Sequence, residues 1–379
     1  MFKPKITVLY DLNGVCYWRS WLPHYWMQKQ GLADVRFIEL KNTTMAEIAK
    51  AASTSDFIQA VGLMDMNGIE LVQRYQALGV KIATDYDDLH FNCSPWNPKY
   101  RQFGTEEVQL EDGSWLWKDG KDNFDLKKNQ FKFHTYKKVL QTADVVTTTT
   151  LYLKEALAEV SEYQANLRVM PNAVDFDEWK PLDVRSKFKD KFRFGWAVSG
   201  SHGDDWIYAK QILIDFLKSH PDAIFVCIGD TYLDIKKGMA EVASQIEWYP
   251  WSDLWEGHYQ LRLPLLGLDC AIMPLADTEF NRCKSPLKWA EMTAFGWPVV
   301  AQDMEPYSSH IQNGQTGLLC KTKEDWILAL NQMYSNPELR KRLRFNALLI
   351  CKQMFDVKEV AKEWQEMYLQ ILHGETVTK

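Results

Sequence analysis

Asn281-Arg282-Cys283-Lys284-Ser285-Pro286-Leu287-Lys288-Trp289-Ala290-Glu291-Met292-Thr293-Ala294-Phe295-Gly296-Trp297-Pro298-Val299-Val300 is the most heavily punctuated stretch of the chain. Its residue types spell a loop, a helix and a strand. Ser285 is a capping residue, Pro286 suits a first helical position, Gly296 ends the helix, and Pro298 opens an apolar run. The free N–H groups of such a helix start carry the positive end of its dipole, and Arg282 and Lys284 stand beside them. That combination is an anion site suited to a diphosphate, with Ser285, Pro286 and Leu287 against it. Glu291 follows six residues after Ser285, roughly 9 Å along a helix rising about 1.5 Å per residue. This is the reach from a diphosphate to the ribose of the same nucleotide, whose two hydroxyls a carboxylate can accept. A plain helix start and a solvated Lys288–Glu291 pair would show the same spacing.

Working outward, strand-like and helix-like segments alternate along the whole chain, the pattern of parallel α/β sheets. The first half reads as strand 6–10, a helix over 18–30, a buried run 55–64, a helix over 67–78, strand 80–84, a helix over 131–142, strand 144–149, a helix from Leu151 and strand 167–170. Residues 93–130 break this rhythm with an irregular insertion containing a small hairpin at an Asp-Gly turn, Asp112-Gly113. A second set begins at Phe192 and continues through strands at 223–229, 246–251, 269–274 and 298–301, with helices over 204–218, 285–295 and two more from Lys323. The expected organisation is therefore a Rossmann-like unit over 1–185, a second over 186–355, and a C-terminal helix in 356–379 returning to the first. Ligands of such open sheets sit beyond the carboxyl ends of the strands.

The 379 residues exceed one ordinary hydrophobic core. With 46% apolar and 25% charged residues the composition is that of a globular protein. No stretch reaches the ~20 apolar residues of a membrane span, and Lys3 and Lys5 lead directly into the first strand; a cytoplasmic protein without an integral membrane segment is expected. Seven scattered cysteines form no Cys-x-x-Cys pair, so neither a disulfide framework nor a zinc site is indicated. The net charge of −6 argues against a generic nucleic-acid coat. The 16 Trp and 16 Tyr suit sugar rings and nucleobases but also serve any core. Oligomeric state is not legible.

The 281–300 segment resembles the donor-site signature of GT-B glycosyltransferases of the group 1, family 4 type. Pro171-Asn172-Ala173-Val174-Asp175 is similar to the family's junction motif, Gly314-Gln315-Thr316-Gly317-Leu318-Leu319 to its Gly-x-Thr-Gly-Leu-Leu run, and Phe194 to His202 to its opening donor strand and glycine loop. The resemblance implies an α/β GT-B fold with two Rossmann-like domains facing a cleft. It also implies transfer of a sugar from a nucleotide-diphosphate donor to a hydroxyl, with retention and without a metal or other cofactor. It places Glu291 on the ribose, Gly200 and Ser201 in the donor loop, and Arg282, Lys284 and His202 at the leaving phosphate. Two departures stand out. Cys283 occupies the position of a family glutamate, and no Arg-Lys pair follows the glycine loop. They leave a non-catalytic nucleotide-sugar-binding protein as the rival reading.

On the acceptor side, Asn13, Gly14, Tyr17 and Arg19 follow the first strand, where Gly14 permits close backbone approach and Arg19 is a candidate phosphate contact; an ordinary βα loop is the alternative. Asp85-Tyr86-Asp87-Asp88 superficially matches an Asp-x-Asp metal motif but lacks a surrounding ligand set, so Asp87 and Asp88, with His90, are read as acceptor contacts or a solvated strand end. The acceptor is expected to be a glycan or, given a general similarity to phage-encoded glycosyltransferases, a hydroxymethylated pyrimidine in DNA. Lys99, Arg101, Lys118, Lys121, Lys127, Lys128 and Lys132 form a candidate basic rim for the latter.

Overall fold

The computed structural model describes residues 2–163, 166–182, 184–188, 190–198, 202–229 and 235–374. In chain order the strands of the first half are β1 (Lys5–Tyr10), β2 (Asp34–Glu39), β3 (Phe57–Val61) and β4 (Lys81–Tyr86). The hairpin strands β5 (Val108–Gln109) and β6 (Trp115–Trp117) follow, then β7 (Val145–Thr148) and β8 (Leu167–Val169). The second half holds β9 (Phe192–Val198), β10 (Ala223–Gly229), β11 (Ile246–Tyr249), β12 (Cys270–Met273), β13 (Val299–Gln302) and β14 (Leu318–Cys320). Two parallel sheets result, ordered β2-β1-β3-β4-β7-β8 and β11-β10-β9-β12-β13-β14. This is the GT-B arrangement of two Rossmann-like halves.

Helices cover both faces of each sheet, so central strands are apolar throughout rather than alternating. Every residue of β9 is buried, including Arg193. Arg193 is tolerated there because Nη1 and Nη2 reach Glu247 at 2.8 and 2.7 Å and Nε reaches Leu266 O at 3.0 Å. Strand order reverses between β1 and β3 in the first sheet and between β9 and β12 in the second. The crevices at these two points are where open sheets take ligands.

The chain passes between halves twice. Val174 N donates to Phe355 O (2.8 Å) and Val357 N donates back to Val174 O (3.1 Å). Trp179 then wedges between the halves, stacked on Phe295 at 5.1 Å and edge-on to Trp18 at 5.0 Å. The last helix, Val357–Leu372, lies on the Leu22–Lys29 helix of the first half. There His24 Nε2 meets Tyr368 OH at 2.8 Å.

Two local features differ from the sequence expectation. Of the helix expected over 18–30, only Leu22–Lys29 is α-helical, preceded by a helical turn, Gly14–Cys16, and a five-residue π segment, Tyr17–Trp21. The widened turn carries Arg19 inward. The insertion, whose hairpin forms as expected, is also packed against the second half. Cys93, Tyr100 and Phe124 share a small core with Phe280 from the second half, and Ser94 Oγ donates to Asp204 Oδ1 at 3.1 Å. Among the described residues no helix is long and apolar enough to cross a membrane.

Candidate active site

The turn before the Leu287–Ala294 helix brings the donor candidates together, with changes of role. Pro286, not Ser285, occupies the N-cap position, and no side chain caps the helix. Ser285 Oγ instead accepts a hydrogen bond from Asn172 Nδ2 at 2.8 Å. Arg282 does not face the cleft as a free cation: Nε and Nη2 bind Asp277 at 2.8 Å each on the exposed surface. Lys284 lies with its Nζ 4.8 Å from the Phe280 ring, and its charge is felt by Asp88 and His90 of the first half and by His202 of the second. Cys283 is fully buried among Tyr86, Tyr136 and Leu153 of the first half. Burial pushes its thiol up to about 12; an ionised glutamate would have no place there.

Glu291 is 1% exposed. Its Oε2 takes Lys288 Nζ at 2.7 Å and Tyr259 OH at 3.2 Å, while Oε1 has no hydrogen bond among the described residues. Glu291 lines a cavity of about 280 Å³ with Trp251, Ser252, Tyr259 and Lys288 from its own half, and with Asn13, Gly14 and Trp18 from the other. Asn13 and Gly14 thus share one space with the donor helix.

His202 precedes the Gly203–Ser219 helix at the carboxyl end of β9; Gly200 and Ser201 lie outside the described residues. His202 Nδ1 donates to Asp205 Oδ2 at 2.6 Å. Asp205 Oδ1 is held by Ala276 N and Asn281 Nδ2, both at 2.7 Å. Burial and the nearby Lys284 lower the His202 pKa, against the pull of Asp205. The ring is therefore neutral at pH 7, with Nδ1 carrying the proton and Nε2 bare. Beside it, Trp196, Met273, Lys288 and Tyr307 line the crevice where β9 and β12 part.

Two acceptor candidates are corrected by burial. Tyr17 is 5% exposed, packed against Trp18, Trp21 and the donor-half Trp255, whose Nε1 donates to Asn13 O at 3.2 Å. Arg19 is 1% exposed: its Nε and Nη2 bind Asp85 Oδ1 and Oδ2 at 2.9 and 2.7 Å, and Nη1 reaches Asn172 Oδ1 at 3.2 Å. A guanidinium so committed has no reach to an acceptor in the cleft.

Asp87 and Asp88 follow β4 with side chains 23% and 14% exposed. Burial and the charge of Asp88 push the Asp87 carboxyl up to about 7. Burial works against Asp88 as well, but Lys99, 3.2 Å away, and Lys284 outweigh it and hold its carboxyl well below the usual range. His90 stacks on Phe103 at 5.0 Å and lies 3.8 Å from Asp87; burial lowers its pKa to about 4. Asp85, Asp87 and Asp88 are thus engaged separately, and among the described residues no acidic or histidine cluster suits a metal. Of the basic rim, Lys99 turns inward to Asp88, and Lys132 lies over Phe103 and donates to Gln102 O.

Asp205, Asn172, Tyr259 and Trp255 were not read from the sequence as site residues. Asn172 alone carried a signal, inside the junction motif. Tyr259 and Trp255 act through contacts 32 (Tyr259 to Glu291) and 242 (Trp255 to Asn13) residues along the chain, and Asp205, which meets His202 three residues away, is held in turn by Ala276 at 71; no local pattern reveals these distant contacts.

Comparison with known proteins bears on this geometry. Residues 213–348 match the family model described as glycosyl transferases group 1. Comparison with curated protein sequences finds no match. Among solved structures, the sucrose-phosphate synthase of Thermosynechococcus elongatus is similar at TM-score 0.68 and 13% identity, covering 98% of this chain and 100% of that one. HepE of Anabaena, solved with UDP and glucose, is similar at TM-score 0.65 and 15% identity, covering 96% and 99%. A glycosyltransferase of Rickettsia africae follows at TM-score 0.64 and 13% identity, covering 98% and 99%. The group 1 match spans the donor turn and its helix, and the GT-B fold is shared from end to end with these structures.

Proposed function

We propose that the chain transfers a sugar from a nucleoside diphosphate sugar to a hydroxyl acceptor in the cleft between its halves. The diphosphate lies over Lys284, Ser285 and Pro286, and the ribose lies at Glu291. The observation carrying this is the cavity that Glu291 lines together with Asn13 and Gly14, with one carboxylate oxygen of Glu291 tied to Lys288 and Tyr259 and the other unbonded. An oxygen fixed by two donors orients the second one for a sugar hydroxyl. Trp251, 42% exposed at the same cavity, offers a face for a base. UDP sugars are the first donors to test, since HepE was solved with UDP and glucose.

In the reaction the bond from the sugar C1 to the β-phosphate oxygen breaks and a bond from C1 to the acceptor oxygen forms. The acceptor proton leaves on the diphosphate, so charge is conserved. Lys284 and the helix start stabilise the negative charge that grows on the leaving group. His202, held by Asp205, adds a neutral ring beside it whose bare Nε2 accepts a hydrogen bond from a sugar hydroxyl. Retention of anomeric configuration without a metal is the outcome that the group resemblance supports. Asp87 and Asp88 face the acceptor, Asp88 as an ionised carboxylate that accepts a hydrogen bond from its hydroxyl and Asp87 as a protonated donor below pH 7.

The acceptor is a glycan hydroxyl on this reading, which Trp96 and Trp115, 54% and 39% exposed, support. A second reading, hydroxymethylated DNA, is favoured by the Leu126–Thr142 helix, which carries Lys127, Lys128, Lys132, Lys137 and Lys138 and no acid. A panel of nucleotide sugars tested for thermal stabilisation and turnover, with oligosaccharides and plain and hydroxymethylated DNA as acceptors, decides between them. Transfer to modified DNA alone would displace the glycan reading; product anomer by NMR tests retention.

A further inference from the structure

Ser285 is tied to the first half by a chain of buried polar groups that has no assigned part in the transfer. Asp85 is fully buried, and its carboxylate accepts from Arg19 at 2.9 and 2.7 Å and from Thr147 Oγ1 at 2.5 Å. A guanidinium only donates, so the end of Asn172 that lies 3.2 Å from Arg19 Nη1 is its oxygen. The amide is thereby fixed end for end, and its Nδ2 donates to Ser285 Oγ at 2.8 Å. Ser285 Oγ is thus an acceptor in this contact. Its own hydrogen has no partner among the described residues.

We infer that Arg19 and Asn172 are positioning residues that set the Ser285 hydroxyl as a hydrogen-bond donor to the β-phosphate of the donor sugar. The inference rests on the diphosphate lying at the Lys284–Pro286 turn. Negative charge grows on the β-phosphate oxygens as the C1–O bond breaks, so a hydroxyl already aimed at them binds the transition state more tightly than the ground state. Arg19 at 1% and Asn172 at 4% exposure are held by packing before donor arrives, so no group must reorient during the reaction. Arg19 acts through Asn172 and does not itself touch substrate.

The test uses the full chain with UDP-glucose, or whichever donor of the panel is turned over. Ser285→Ala lowers kcat by about 10- to 100-fold with little change in KM, and Ser285→Thr, which keeps the hydroxyl, restores most of it. Asn172→Asp retains the partner of Arg19 but offers Ser285 a carboxylate, drawing its hydrogen away from phosphate; it lowers kcat to a similar extent. The double variant Asn172→Asp/Ser285→Ala is then no slower than Ser285→Ala alone. Multiplying effects in the double variant, an unchanged kcat in Ser285→Ala, or a Ser285→Thr as slow as Ser285→Ala overturns the inference, and the two serine variants decide it even if Asn172→Asp fails to fold. Calorimetric binding of UDP separates the premise from the inference. Binding weakened by Lys284→Ala while the serine variants turn over normally keeps the donor site and removes the hydroxyl, whereas binding indifferent to Lys284→Ala removes both.

Discussion

His202 Nδ1 lies 2.6 Å from Asp205 Oδ2, and the other oxygen of that carboxylate is held by Ala276 N and Asn281 Nδ2. The ring that enters the cleft is therefore oriented by a buried anion with every contact supplied by the donor half. Asp205→Asn substitutes an amide whose N–H groups oppose donors already in place. It is expected to destabilise the protein by about 2–4 kcal/mol in denaturant titration. His202→Gln leaves the unfolding midpoint close to wild type and lowers kcat. A fully active His202→Gln enzyme contradicts the assigned role.

Glu291 offers one unbonded oxygen to the cavity. Glu291→Ala is expected to weaken nucleoside diphosphate binding by about tenfold, roughly 1.4 kcal/mol. A 2′-deoxy nucleotide binds wild type more weakly than its ribo counterpart and loses less on the substitution. Calorimetry of the four combinations measures the coupling. Equal losses for ribo and deoxy ligands would place the ribose elsewhere.

Arg282 is spent on Asp277 at the surface, whereas the charge of Lys284 reaches Asp88 of the first half. Steady-state kinetics should separate them: Lys284→Ala costs about 100-fold in kcat/KM and Arg282→Ala less than about threefold. A larger loss in Arg282→Ala would mean that the guanidinium leaves Asp277 when donor binds.

The Asp87 carboxyl, raised from 3.8 to about 7, makes stability depend on pH. Below pH 4 both folded and unfolded chains hold its proton, and it costs nothing. Between about pH 4 and 7 only the unfolded chain releases it, so folding stability falls as pH rises, and above 7 the cost is complete. Asp87→Asn removes that cost. Its gain in melting temperature over wild type should be a few degrees at pH 8 and vanish near pH 4; a gain that grows towards acid contradicts the assignment.

Much of the fold was legible because apolar runs and helix punctuation are local. The strands at 192–198 and 223–229 read from the sequence coincide with β9 and β10. The short β2, Asp34–Glu39, escaped because it alternates charged and apolar residues between loops rather than forming an apolar run. In the site, the helix that carries Glu291 was readable from its punctuation, and it forms over Leu287–Ala294. The carboxylate partners of Arg19 and Arg282 were not read, because a basic residue after a strand or beside a helix start looks alike whether it meets phosphate or a carboxylate. What decided each was a partner, Asp85 at 66 residues' separation and Asp277 at five. Ser285 was taken for a cap because the sequence does not show that Asn172, 113 residues away, donates to its hydroxyl.

The central claim is that a nucleoside diphosphate binds between Lys284 and Glu291. Isothermal titration of UDP, ADP and GDP into wild type, Lys284→Ala and Glu291→Ala tests it most directly. At least one of the three should bind wild type with saturable heat and lose about tenfold or more in affinity in each variant. Absence of binding by any of them, or binding unaffected by both substitutions, would contradict it.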